Sequence, residues 1–298
     1  MTISASRVVG FLALFRRSVP DFFLACIVAL SVAALVLFQP VFQDTFVTQV
    51  DHRTHLRWLM QFHTSLAEGV FIPRWAFGSH GGLGDPTFLY YSPFFYYLAS
   101  AVIFLVSDVS LAVRLTLLAM NAALGLVAFC ALHRFMSRTR ALISMALIQA
   151  LPIVLILQVY YGALPWVVAS PFVLAFAFES TSEHPRVRML AVWLALCVLT
   201  HILSAFMLLL SVGAGQLWRV VFSKITLTNY VRWLGGIVMG LSLAGFYLMP
   251  ALTLQEHINP GGWTSDPTLD WRRAFAFPFV TYFQYGGSVL TCVQKRQQ

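Results

Sequence analysis

Residues 111–140 read LAVRLTLLAMNAALGLVAFCALHRFMSRTR, an apolar run that ends in a cluster of arginines. At about 1.5 Å per residue, Leu111 to Leu132 reaches across a hydrocarbon core of about 30 Å. Arg134, Arg138 and Arg140 mark its cytoplasmic end, because bases in short loops resist translocation. The rest of the chain has the same character. Of 298 residues, 59% are hydrophobic and 10% charged, against about 25% charged in an ordinary soluble domain. This excludes a soluble enzyme, a disordered regulator and a nucleic-acid binder. The net charge of +8 is almost all arginine, with Lys224 and Lys295 the only lysines. These bases lie between apolar segments, where they set topology. Cys26, Cys130, Cys197 and Cys292 are scattered and give neither a disulfide framework nor a zinc spacing.

Outward from this stretch, apolar length and arginine placement predict a multi-pass protein of the cytoplasmic (inner) membrane with its N-terminus inside. The opening MTISASRVVG lacks a cleavage site closely after its first apolar run, so Phe22 to Gln39 is read as a retained helix, entered from Arg16–Arg17 and capped by Asp21. Residues 41–110 form a large first external loop. Within it Tyr90 to Val106 is apolar enough to cross, but a crossing there would put the 134–140 arginines outside. Its aromatic opening suits a helix lying in the outer leaflet. Further spans are Leu142 to Val159 and Leu164 to Phe178. Met189 to Leu217 divides into two helices near His201 and Ser204, which returns Arg219, Lys224 and Arg232 to the inside. Trp233 to Pro250 follows, and Phe275 to Val293 is a further candidate weakened by Pro278 and Gly286–Gly287. The expectation is an all-α polytopic bundle of about seven to eight transmembrane helices, with 1–298 a single membrane domain.

The polar residues that stand out cluster in the first loop. Asp51, His55, Trp58 and Phe62 are spaced to share one side of a helix, with His52, Leu59 and His63 on an adjacent stripe. Asp51 reads equally as a helix cap and as a functional carboxylate. The histidines read as interface residues or as ligands, and Asp51 with His55 alone does not define a metal site. GSHGGLGDPTF (residues 78–88) lacks the ending of a phosphate loop, and Asp85 before Pro86 is a turn residue. Tyr160, Tyr161 and Gly162, then His201, then Glu256 with His257, fall at outward ends, which points to one external cleft.

The run from Asp51 through His55 and Arg57, then GVFIPRW, GLGDPTFLYYSPFFYYL, YYGALP, THILSAF and FYLMPAL, resembles a family of bacterial membrane proteins described as related to 6-pyruvoyl-tetrahydropterin synthase. The resemblance covers Phe22 to Glu256, and the family's name implies no pterin chemistry. Such proteins in turn resemble polytopic GT-C glycosyltransferases that use lipid-linked sugars. Carried over, the resemblance implies Asp51 and His55 as catalytic residues. It also implies substrate-binding roles for Arg57, Arg74, Trp75, Tyr90, Tyr91, His201 and Glu256, with Pro73 and Pro93 falling on the family's loop prolines. The implied reaction is inverting transfer of a sugar from a polyprenyl-phosphate donor to a glycan, lipid or protein acceptor at the outer face. Asp51 would take the acceptor proton while Arg57 or Arg74 holds the departing phosphate. A divalent cation is compatible with that chemistry and not required by it. Two departures stand out. The second outer loop has Tyr161, Gly162 and uncharged Pro165–Trp166 where relatives carry an arginine and an acid, and the ending LTCVQKRQQ resembles that of a fragment. The competing expectations are therefore a structural or assembly membrane protein, or an inactive fragment, and a transporter of lipids or small amphiphiles.

Overall fold

A computed structural model describes residues 5–37, 51–152, 162–222 and 224–257. Helices form nearly all of the regular structure: α1 (Ala5–Val36), α2 (His52–Ala67), α3 (Thr87–Tyr90), α4 (Phe94–Val106), α5 (Val109–Leu132), α6 (Arg138–Gln149), α7 (Leu164–Thr181), α8 (Val187–Thr200), α9 (Ile202–Val221), α10 (Leu227–Leu243) and α11 (Gly245–Thr253). One antiparallel bridge joins Ala76 to Asp85. The chain divides into two compact units, Met1–Pro250 and Ala251–Gln298, and the second is described only through residue 257.

Local chemistry sets the joints. Ser107 ends α4 in the left-handed conformation, and the Asp108 carboxylate then caps α5 by accepting from the Leu111 N–H at 2.8 Å. Two residues between helices make α4 and α5 an antiparallel pair. At His201 the backbone is extended (φ −157°) and the imidazole caps α9, accepting from the Ser204 N–H at 3.2 Å. The apolar run from Met189 to Leu217 is thereby broken into two helices.

Small side chains let the helices approach closely. Ala25, Ala29 and Ala33 line one edge of α1 and pack against Ala122, Ala128 and Phe129 of α5 and Ala141 and Met145 of α6. The buried Gln149 amide locks this seam, donating to Ala29 O at 2.9 Å and to Asn121 Oδ1 at 3.0 Å. Gly236 and Gly240 do the same for α10 against α8. A Cβ at Gly240 would stand 2.9 Å from Ala191 O, and one at Gly236 would stand 2.6 Å from Leu190 Cβ.

The bundle has two chemically different ends. At one, Arg138 Nη1 bonds Asp21 Oδ1 at 2.9 Å, and buried Glu179 receives a two-pronged contact from Arg186 at 2.7 and 3.0 Å. Gln216 bonds the Ser180 carbonyl, and Trp233 Nε1 donates to Ser180 Oγ at 3.1 Å. Asp21 thus joins α1 to α6 as an ion-pair partner inside a longer α1, where the sequence had suggested a helix cap. The other end carries α2, α3, α4 and the starts of α5 and α7, closed over by aromatic side chains.

The expected seven to eight transmembrane helices are not what the fold provides. Among the described residues three helices are long and apolar enough to cross a membrane: Val109–Leu132, Leu164–Thr181 and Ile202–Val221. A fourth exists if Leu227–Leu243 and Gly245–Thr253, bent by 74°, act as one span. The apolar part of α1 (Asp21–Val36), α4 (13 residues) and α8 (14 residues) fall short, since 14 residues rise only about 21 Å. One face of α4, with Phe95, Tyr96, Ala99, Ser100 and Ile103, is buried in the bundle, while Phe104 and Leu105 stay exposed. The span expected over Leu142 to Val159 is described only as α6, Arg138–Gln149. Phe275 to Val293, Tyr160, Tyr161 and Cys292 lie outside the described residues.

Replacing Gly240 with valine forces α10 away from the Ala191 carbonyl and should destabilise the bundle by about 1–3 kcal/mol. Thermal unfolding of the detergent-solubilised protein measures this. Gly215→Ala, where a Cβ meets nothing within 4 Å, should leave the midpoint unchanged or slightly raised.

Candidate functional site

Helix α2 begins at His52, directly after Asp51. Its buried stripe is His52, His55, Leu59, Phe62 and Ser65, one step round from the stripe expected through Asp51 and Trp58. A period of 3.6 residues permits either set, and burial selects the one that hides Leu59. Asp51 occupies the N-cap position, but its side chain makes no capping bond and is exposed. Partial burial still raises its carboxyl above the usual range.

His55 is the centre of the site. It is 3% exposed, and its Nδ1 lies 2.9 Å from the hydroxyl of fully buried Tyr96. Trp58, Tyr91, Phe95 and Tyr96 surround the imidazole with ring centroids 5.6–6.2 Å away. Trp58 and Tyr91 pack on each other at 5.1 Å, and Phe62 continues the cluster against Phe88 and Tyr97. Burial pushes the His55 pKa down to about 3, with neighbouring His52 and His201 adding to the effect, and holds His52 near 4. It drives the Tyr91 and Tyr96 hydroxyls upward. Every ring in the cluster is therefore neutral at physiological pH.

Three other segments close around it. Gly162 has φ +69°, and a Cβ there would come within 2.7 Å of the His52 backbone nitrogen, so the second loop presses directly on the first turn of α2. Trp166 stacks on His201 at 6.3 Å. Ser92 ties the tyrosine-rich loop to the α8–α9 break, donating to Val198 O at 2.9 Å and accepting from the Ile202 N–H at 3.2 Å. The Tyr247 hydroxyl donates to Tyr90 O at 2.6 Å.

Of the residues singled out in the sequence, His55 and Tyr91 thus meet in one cluster, with His201 within electrostatic reach of His55. Arg57 is exposed on α2. Arg74 spends its guanidinium on Phe246 O at 2.7 Å, and Trp75 lies over Gly84. Asp85 accepts from the Thr87 N–H at 2.9 Å as a turn carboxylate. Glu256 belongs to the second unit, where it is exposed and stands 3.9 Å from His257. Tyr96, Ser92 and Tyr247 were not singled out, and Trp166 was noted only as a departure from the relatives' pattern. Tyr96 is four residues from Ser92 within one aromatic string, and nothing in that string distinguishes the tyrosine that turns inward.

Helices of membrane length, small-residue seams and segregated basic and aromatic ends define a multi-pass helical membrane protein. Residues 88–280 match the family model described as "6-pyruvoyl-tetrahydropterin synthase related domain; membrane protein", and the chain belongs to that family. No curated protein and no solved structure matches. The family match carries no link to GT-C glycosyltransferases.

The expected sugar transfer from a polyprenyl-phosphate donor is overturned with the fold it required. Three to four membrane-length helices stand among the described residues where seven to eight were expected. Among the described residues no group of three or more His, Cys, Asp or Glu side chains gathers to hold a metal. Of the two arginines either of which was expected to hold the phosphate, Arg57 is exposed and Arg74 bonds a backbone carbonyl.

Tyr96→Phe removes the partner of a buried imidazole nitrogen and should cost about 1–3 kcal/mol of stability in denaturant or thermal unfolding. The pH dependence has a definite sign. Unfolded histidine titrates near 6.5, above the folded values of about 3 for His55 and about 4 for His52. The unfolded chain therefore takes up protons first as pH falls. Stability should be full above pH 6.5 and decline toward pH 4, and His55→Gln should make that decline shallower.

Proposed function

We propose that the protein is a structural or assembly component of the cytoplasmic membrane. In this reading the basic end faces the cytoplasm, the His55 cluster faces outward, and 1–298 acts as a single membrane domain with residues 41–110 as its external cap. A buried aromatic cluster with neutral rings, combined with long uncovered apolar faces, carries the reading. Leu203, Phe206, Met207, Leu210, Leu217 and Trp218 of α9 are all more than half exposed, on a helix long enough to span. Lipid or a partner helix is the natural neighbour for such a face. The cap adds a second surface. Val70, Phe71, Ile72, Trp75 and Phe77 point outward from a loop held in place by Tyr97, whose hydroxyl donates to Phe71 O at 2.6 Å. Rigidly presented aromatic side chains beside the ends of spanning helices suit the lipid–water interface.

The buried polar groups inside the bundle favour this reading over transport. Asn121 and Gln149 bond each other and the Ala29 carbonyl, so they lock the helices together where a transporter would aim them at a substrate path.

Two experiments test the proposal. In a cysteine-free background, a membrane-impermeant maleimide should label Thr64→Cys and not Thr139→Cys; the reverse pattern would overturn the orientation. In cells lacking the protein, Asp51→Asn and Arg57→Gln should restore membrane-envelope integrity to the same extent as wild type, while Gly162→Val, which breaks the cap, should not. Loss of function in well-folded Asp51→Asn would favour chemistry at that carboxylate and count against the scaffold role.

A further inference from the structure

At the basic end, α1 and the last turn of α5 form a cleft of about 250 Å³ lined by Asp21, Phe22, Phe129, Cys130, His133 and Arg134. Its charges are unequal. The Asp21 carboxylate is already compensated by Arg138 at 2.9 Å, and His133 Nε2 lies 3.8 Å from it. Glu179, which Arg134 senses, is gripped by Arg186. Among the described residues that line the cleft, the Arg134 guanidinium is exposed at the rim and is the charge on offer. Below the rim the wall is apolar. Phe129 stacks on His133 at 5.1 Å with planes 16° apart, and Phe22 stands half exposed beside it. The cleft sits where the apolar length of α5 ends, so one side meets hydrocarbon and the other meets water.

The geometry points to a binding site for an anionic phospholipid, with Arg134 holding the phosphodiester and the acyl chains lying against Phe22 at the apolar wall. A positive rim over an aromatic wall at the end of a spanning helix matches that ligand at both its ends. Free phosphate would use only the rim, and a neutral lipid only the wall. The site rests on the membrane embedding of the bundle and is independent of the scaffold role.

The test uses the full-length protein in dodecyl maltoside micelles with added dioleoyl phosphatidylglycerol, dioleoyl phosphatidylcholine or inorganic phosphate. Two readouts are followed: the thermal midpoint, and N-ethylmaleimide alkylation of the exposed Cys130 thiol, read on its own peptide by mass spectrometry. Phosphatidylglycerol should raise the midpoint and protect Cys130 at concentrations about fivefold lower than phosphatidylcholine, the factor expected for one basic side chain near an anionic headgroup. Arg134→Gln should abolish that preference, while Arg188→Gln, exposed on α8 and absent from the cleft lining, should keep it. Equal effects of the two lipids, equal protection by inorganic phosphate, or a preference that survives in Arg134→Gln would each overturn the site.

Discussion

A helix gains about 1.5 Å per residue while the hydrocarbon core stays about 30 Å thick, and this mismatch orders the whole molecule. Helices α5, α7 and α9 meet the length. The shorter apolar helices α4 and α8 do not, and they bury one face instead: α4 through Phe95, Tyr96 and Ile103, α8 through Leu190, Leu194 and Val198. Their apolar content serves protein contacts as well as lipid contacts. The long helices act as the frame, and the short ones fill the space between that frame and the aromatic cap.

Holding such a bundle together requires more than apolar area, since lipid tails solvate leucine as well as another helix does. Close approach supplies one part, through the alanine edge of α1 and the glycines of α10. Directed polar contacts supply the other, and they occur at three heights. The Asp21–Arg138 and Glu179–Arg186 pairs fix the basic end. Gln149 fixes the alanine seam. His55 with Tyr96, and Ser92 with Val198, fix the opposite end.

The sequence already carried the membrane class, the helical character and the break at His201, because apolar length and arginine parity are local signals. It also drew attention to His55 through helical spacing. The number of spans was not legible, since a 14-residue helix such as Val187–Thr200 is as apolar as the end of a longer span. Tertiary partners were equally hidden. Tyr96 lies 41 positions from His55, Arg138 lies 117 from Asp21, and the carbonyl that binds Arg74 lies 172 away. Of the residues given roles by resemblance, Asp51 and Arg57 lie at the surface and Arg74 bonds the Phe246 carbonyl.

The central claim is that the described bundle, with three to four membrane-length helices, faces lipid along α9 and turns its buried polar contacts inward. Nitroxide scanning of Ile202–Val221 in phospholipid bilayers tests it most directly, by comparing relaxation from lipid-soluble oxygen with that from a water-soluble nickel chelate. Labels at 203, 206, 207, 210 and 217 should respond to oxygen, while those at 205 and 208, buried against the bundle, should respond to neither. Nickel access along the whole segment, or oxygen access without helical periodicity, would contradict it.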